Sequence, residues 1–306
     1  MKNNLFKTLI VFIIIFFSNN AYAINEFNFD VTEIEIVENG KIFKGLKRGT
    51  ISTNDGIILK ADEFEYDKDL NILKANGNIE IKDEINNYII SSREIIYLKN
   101  KNLIITRGNS RAIISNNNIV IDAEIFEYQK NENKIIAKNN VIVDDRENKN
   151  KLFSDFITYY KDEEKFISDG KTRSLIESKY DFKSEDVIFL KNKNQLSSLK
   201  QTTIIDDNSQ LYNLSKFIYL INEKELKGED IIVTTNYNLP NSDKFYFSSA
   251  IINLQNKKFI ASDTKFEIHK NIFSNPENDP RLLGVSSKSD GNLTVLKKAI
   301  FTSCKK

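Results

Sequence analysis

A chain of 306 residues, 40% of them hydrophobic, can bury one long core or two ordinary ones. Its 44 Lys and Arg balance 43 Asp and Glu and are mixed along the chain, which removes the net field that a nucleic-acid partner would need. With one histidine, one cysteine and no tryptophan, an internal disulfide is excluded and any metal site would have to be built from carboxylates.

Residues 1–23 read as a signal peptide. Lys2 and Lys7 supply the positive region, residues 8–17 are an almost unbroken apolar run, and Ala21-Tyr22-Ala23 gives the small-x-small cleavage pattern. An apolar run of about ten residues falls short of the roughly 20 that span a bilayer, so export is expected rather than an uncleaved anchor.

From Leu59 onward the chain repeats itself. Leu59-x-Ala61-x-x-Phe64-x-Tyr66 recurs as Ile90-x-Ser92-x-x-Ile95-x-Tyr97, as Ile121-x-Ala123-x-x-Phe126-x-Tyr128 and as Leu152-x-Ser154-x-x-Ile157-x-Tyr159, with a step of 31 residues. Phe182-x-Ser184-x-x-Val187-x-Phe189 and Tyr212-x-Leu214-x-x-Phe217-x-Tyr219 follow with a step of 30. A looser seventh copy lies near Phe247 to Leu254, after an insertion containing Pro240.

Each aromatic is followed by a polar clip that reads as a hairpin turn: Asp67-Lys68-Asp69, Lys99-Asn100-Lys101-Asn102, Lys130-Asn131-Glu132-Asn133, Lys161-Asp162-Glu163-Glu164 and Lys191-Asn192-Lys193-Asn194. A second apolar stretch follows, such as Leu73-x-Ala75 and Ile79-x-Ile81. Within it Gly77, Gly108, Asn139 and Gly170 are again 31 apart, and Gly and Asn tolerate positive φ, so a bend or bulge is expected there. Lys200 holds that place in the fifth copy, where the corner should relax. Asp62-Glu63, Arg93-Glu94 and Glu124-Ile125 interrupt the alternation of the first half and mark a second corner.

Period-2 alternation, Ile, Val, Phe and Tyr at the apolar positions, and turns about every 15 residues predict strands and no helix. The expected fold is all-β: stacked β-hairpin repeats forming a folded-over, two-sheet β-jellyroll with an internal apolar groove. Leu59, Ala61, Phe64, Tyr66, Ile79 and Ile81 and their equivalents should face inward. The ends of such a stack expose sheet edges that invite strand addition. The series Tyr66, Tyr97, Tyr128, Tyr159, Phe189 and Tyr219 has two readings: a core ladder, or a ladder that also lines a groove for an apolar ligand.

No catalytic arrangement stands out. The chain lacks G-x-S-x-G, HExxH, CxxC and any Gly-rich phosphate loop. Asp144-Asp145, Glu163-Glu164 and Asp206-Asp207 read as solvated turns or strand ends, and His269 as a surface strand residue. No enzyme, cofactor or metal is expected.

The strings Ala61-Asp62-Glu63-Phe64-Glu65-Tyr66 and Ala75-Asn76-Gly77-Asn78-Ile79 resemble the OstA-like domain of lipopolysaccharide transport proteins, over about residues 30 to 270. That superfamily includes the periplasmic bridge proteins LptA and LptC and the amino-terminal periplasmic domain of the LPS-assembly protein LptD. Asn278-Asp279-Pro280-Arg281-Leu282-Leu283-Gly284, with Ala299-Ile300-Phe301-Thr302-Ser303-Cys304-Lys305, looks like the junction between that domain and the barrel of LptD.

The resemblance implies non-enzymatic LPS transport in the periplasm, in association with the outer membrane. Acyl chains would lie in a groove lined by Leu59, Ala61, Phe64, Tyr66, Ile90, Ile95, Tyr97, Ile121, Ala123, Phe126, Tyr128, Ile157 and Tyr159. The implied partners are LPS, an LptA-like bridge protein joined by edge-strand pairing, an outer-membrane barrel and an LptE-like lipoprotein, with no nucleic acid. In the family, periplasmic cysteines bridge to cysteines of the barrel. Cys304 matches such a position, with its partner outside this chain; the other reading is a free thiol in a linker. The expected organisation is a signal peptide (1–23), an OstA-like repeat domain (24–270) and a junction segment (271–306) towards a barrel that this chain, ending at Lys306, does not contain. A fragment and a split gene both fit that ending. Two other readings stay open: a free-standing LptA-like lipid carrier, and a purely structural β-solenoid.

Overall fold

The computed structural model describes residues 27–114, 118–273 and 277–304. Residues 1–23, expected to be a signal peptide, lie outside them. Twenty-six strands among the described residues form one antiparallel sheet, in which each hairpin hydrogen-bonds to the next. The alternation in the sequence explains why: residues i and i+2 share a face, and one face is apolar throughout.

The central strands Ile72–Asp83, Tyr88–Leu98, Leu103–Ile114, Ile119–Gln129, Lys134–Asp145 and Asn150–Tyr160 are long enough to cross the sheet twice over. Each is bent near its middle. The register slips between Asn76 and Ile79, between Ser91 and Glu94, between Asp122 and Ile125, and between Lys138 and Val141. Since the slips fall at the same level on neighbouring strands, they add into one crease and the sheet folds over along it. The first wall carries the aromatic series; the second carries the stretch that precedes it in each repeat.

Both expected corners are there. Gly77 (φ +76°), Gly108 (φ +85°), Asn139 (φ +64°) and Gly170 (φ +76°) adopt the left-handed conformation at the first. At Lys200, which does not take up positive φ, the strand is interrupted between Gln195–Ser198 and Thr202–Ile205. At the second corner the amide of Asp62 donates to the carbonyls of Asn76 and Gly77.

The polar clips form tight turns closed by a left-handed residue, namely Asn71, Asn102, Asn133, Glu164, Asn194, Lys224 and Lys257. These turns are themselves laddered. The amides of Lys99, Lys130, Lys161 and Lys191 donate to the carbonyls of Asn71, Asn102, Asn133 and Glu164 of the preceding turn. Asn71 Nδ2 reaches Asn100 Oδ1 at 2.9 Å and Asn102 Nδ2 reaches Asn131 Oδ1 at 3.0 Å. The first residue of each clip is thereby fixed in position along the stack.

Between the walls lies one continuous apolar core from Phe27 to Phe266. At its first end Phe27 closes over Tyr66 and Tyr97, with ring centroids 4.8 and 5.6 Å apart. At its other end the sheet continues through the segment expected to be a junction: Arg281–Ser289 pairs with Phe259–Glu267, and Thr294–Lys297 and Ile300–Thr302 fold back onto it.

Candidate functional site: the folded interior and its mouth

Every residue expected to line a groove points between the walls. Leu59, Ala61, Phe64, Tyr66, Ile90, Ile95, Tyr97, Ile121, Ala123, Phe126, Tyr128, Ile157 and Tyr159 are all buried, Phe126, Tyr128 and Tyr159 completely. The walls are in contact, and the expected groove takes the form of a closed, filled interior. Packed sheets stand about 10 Å apart, a distance that two inward layers of Ile, Phe and Tyr fill. Aromatic rings step from strand to strand along the first wall, as from Tyr159 to Phe166 (4.4 Å) and on to Phe189 (6.0 Å), both stacked. In the irregular sixth and seventh copies, Tyr212, Leu214, Phe217, Tyr219, Phe247, Ala250 and Ile252 face inward. A cavity of about 70 Å³ opens among them, lined by Tyr212, Val233, Phe245, Phe247, Ile252 and Phe259.

Small hydroxyl side chains line the inside of the crease. Thr106 donates to Ser110 at 2.7 Å, Thr172 to Ser168 at 2.6 Å, and Ser184 meets Thr202 at 2.7 Å. They satisfy one another where the ladder is interrupted by the bulges. The hydroxyl residues flanking Gly108, Gly170 and Lys200 were a signal for this line that the repeat alignment by itself passes over.

The opposite long edge is the mouth, where turns of the first wall meet turns of the second. Its contacts were not legible as such in the sequence. Lys99 and Lys130 both reach Asp55 at 2.9 Å, and the Lys130 ammonium also donates to the Asp55 carbonyl. Lys161 donates to the backbone carbonyl of Asn86 at 2.6 Å and stands 5.1 Å above the Tyr88 ring. Lys191 lies 3.6 Å from Glu147, Lys224 pairs with Glu177, and Lys257 reaches Asp206 at 2.5 Å. In the second to fifth copies the lysine is the opening residue of the polar clip, recurring at 99, 130, 161 and 191. In the last two, Ile221 and Leu254 take that place and the lysine moves to the closing residue. That recurrence was visible, but a turn reading absorbed it.

Acids and tyrosines lie beneath the lysines. Tyr128 donates its hydroxyl to Asp83 at 2.6 Å, and Asn86 donates to both. Burial pushes the hydroxyls of Tyr88, Tyr128, Tyr212 and Tyr219 well above the usual phenol range, and that of Tyr180 up to about 12, so these hydroxyls stay protonated. Asp55 goes the other way. Burial works against its charge, but hydrogen bonds from Thr53, Lys130 and Lys99 outweigh it and hold the carboxyl well below the usual range.

Two expectations about acids and His269 are corrected. Asp145 and Asp206 are buried rather than solvated. Asp145 accepts from Asn148 at 2.8 Å, and Asp206 from the amides of Asn208 and Gln210, so each carboxylate holds its own turn together. His269 lies beyond the end of its strand, half-buried, with Nδ1 2.8 Å from Asp243 Oδ1, because the turn of Asp243 packs beside it. Among the described residues no three His, Cys, Asp or Glu side chains converge on one point.

The two parts of the carboxy-terminal motif come together. Arg281 bonds Asp279 at 2.7 Å and the Cys304 carbonyl at 3.3 Å, and the Asp279 amide donates to the Ser303 carbonyl at 3.0 Å. The Cys304 thiol is free and exposed.

No protein-family profile matches the sequence, and no curated protein does. Among solved structures the chain is similar to LptH of Pseudomonas aeruginosa, described as the LptA-homologous periplasmic component of the conserved lipopolysaccharide transport device. The likeness has 12% identity and a TM-score of 0.34, and it covers 37% of this chain and 81% of that one.

Proposed function

We propose that this chain is a non-enzymatic element of lipopolysaccharide transport and outer-membrane assembly, working in the periplasm beside the outer membrane. Its interior accepts LPS acyl chains and passes them towards an outer-membrane barrel. One observation carries the reading: two apolar walls run the length of the repeats, joined by covalent chain along the crease and by lysine side chains along the mouth. The OstA-like strings around Ala61–Tyr66 and Ala75–Ile79 support it.

The physics fits such a conduit. Each buried methylene contributes about 0.8 kcal/mol, so several acyl chains between the walls would offset the separation of side chains that now touch. Sugars and phosphates would remain at the mouth in water. Direction would come from a partner. An LptA-like bridge protein would join by strand addition at the edge formed by Asn28–Asp30 and Ile34–Val37, with an LptE-like lipoprotein and the barrel at the other end. Proline in that edge should abolish the bridge contact; unchanged association would remove this part of the reading. Cys304, exposed beside Arg281, would bridge to a barrel cysteine.

A second reading is a structural β-solenoid, favoured by the complete burial of Phe126 and Tyr128. A free-standing LptA-like carrier differs in having no use for the contacts of Asp279 and Arg281 with Ser303 and Cys304. Photo-crosslinking in cells separates the readings, with a reactive amino acid at Phe126 and a control at Glu127, which faces outward and pairs with Lys138. LPS captured at Phe126 alone is the expected result. Capture at neither position, in a folded and exported chain, would hand the lead to the structural reading.

A further inference from the structure

The mouth is built from cations where neutral side chains would have closed it as well. Asn and Gln can bridge two turns by hydrogen bonds, and the chain uses Asn in this way along the first row of turns. At the mouth it places lysines instead, and it largely buries them: Lys99, Lys130 and Lys191 have side chains only 10, 9 and 11% exposed. Partly burying an ammonium is unfavourable unless an anion lies against it.

The anions provided are too few in the middle of the mouth. Lys99 and Lys130 share one carboxylate, Asp55. Lys161, next along the stack, has no carboxylate within 4 Å among the described residues; its ammonium rests on a neutral carbonyl. The nearest acids are engaged elsewhere: Asp83 accepts from Tyr128 and Asn86, and Asp162 from Asn133 at 3.1 Å. Below Lys161, the Tyr88 hydroxyl is buried and has no hydrogen-bond partner among the described residues. A cation lacking its anion thus stands beside an unused hydroxyl donor, directly over the apolar interior. Lysines recurring every second strand are spaced about 9–10 Å apart, so one headgroup with two anionic groups can reach two of them.

We propose that Lys99, Lys130 and Lys161, with the Tyr88 hydroxyl, form a seat for the phosphate groups of an amphiphile whose chains lie between the walls, and that Asp55 holds the place of that phosphate when the mouth is closed. The proposal rests on the lipid reading above and adds to it what the headgroup must carry. A phosphate brings more charge and more acceptor oxygens than Asp55, so it can displace that carboxylate from two ammonium groups at once. Lipid entry and opening of the mouth then become one exchange of anions.

Isothermal titration calorimetry on the full chain tests this with three probes: dioctanoyl phosphatidic acid, dioctanoylglycerol with the same chains and no phosphate, and inorganic phosphate. Phosphatidic acid is expected to bind at least about ten-fold more tightly than dioctanoylglycerol, the equivalent of one charge-assisted hydrogen bond. Lys161→Gln should shrink that preference. Asp55→Asn should strengthen phosphatidic acid binding, an effect opposite in sign to anything a poorly folded variant gives. Equal binding of the two lipids would overturn the phosphate seat and leave the lipid reading standing. If neither lipid binds, both fall. Inorganic phosphate binding as tightly as phosphatidic acid would mark an anion site unconnected with the interior and overturn the proposal, as would an Asp55→Asn variant with weakened binding.

Discussion

Along the crease the two walls are joined by unbroken chain through Gly77, Gly108, Asn139 and Gly170, with hydroxyl pairs such as Thr106–Ser110 inside the fold. Along the mouth the same walls are joined by lysines reaching from one row of turns to the other. The crease is local and coded in dihedral preference; the mouth is non-local and held by charge. A folded sheet with one permanent and one exchangeable edge can part only at the second. The core between them stabilises both, since apolar burial does not depend on which edge is nearer.

The comparison is broken most severely by attacking what both edges share. Phe126→Ala removes a completely buried ring just beyond the crease, and it should lower unfolding free energy by about 3–5 kcal/mol in urea denaturation. A much smaller loss would mean that the walls at that level are held by their edges and not by their core.

The crease can be sharpened with a matched pair of glycines. Gly77 and Gly170 share φ +76°, but a Cβ at Gly77 would stand 2.6 Å from Asp62 Oδ2, whereas a Cβ at Gly170 meets nothing within 4 Å. Gly170→Ala should therefore show only the left-handed strain, about 1–2 kcal/mol. Gly77→Ala should lose more, within about 1–3 kcal/mol overall, because Asp62 must move from Arg48 at 2.8 Å and Asn78 at 2.7 Å. Equal midpoints in parallel denaturation curves would show that the dihedral alone sets the crease.

The smallest effect is expected at the mouth. Asp55 has a lowered carboxyl pKa in the folded chain, so the stability it contributes is complete above the ordinary carboxylate value of about 4 and is lost only as pH falls through the folded value. Amide exchange at Ile57, whose N–H is held by the Thr53 hydroxyl at 3.1 Å, should be unaffected by opening at this end between pH 7 and pH 5 beyond the intrinsic rate. Protection that fades across that range would mean the Lys99–Asp55–Lys130 cluster is not what closes this end.

Most of the fold was legible because it is local. A 31-residue step, alternating burial and a turn clip state which side chains share a face, and Gly or Asn at a fixed offset states where a strand must bend. Inward facing of Leu59, Ala61, Phe64 and Tyr66 followed from that parity alone. So did the relaxed corner at Lys200.

What tertiary structure decided is how the two rows of turns meet. Lys130 finds Asp55 75 residues away, Lys161 finds Asn86 at the same separation, and Lys257 finds Asp206 51 residues away. The stagger between the rows depends on the accumulated twist of the sheet, which no single repeat encodes. The burial of Asp145 and Asp206 has the same origin, since a turn is solvated or covered according to which turn lies opposite. The continuation of the sheet through Arg281–Ser289 also belongs here, because an open edge pairs with whatever strand the chain next supplies. Sequence periodicity determines which face of a strand is apolar; only the folded-over sheet determines what that strand's ends will touch.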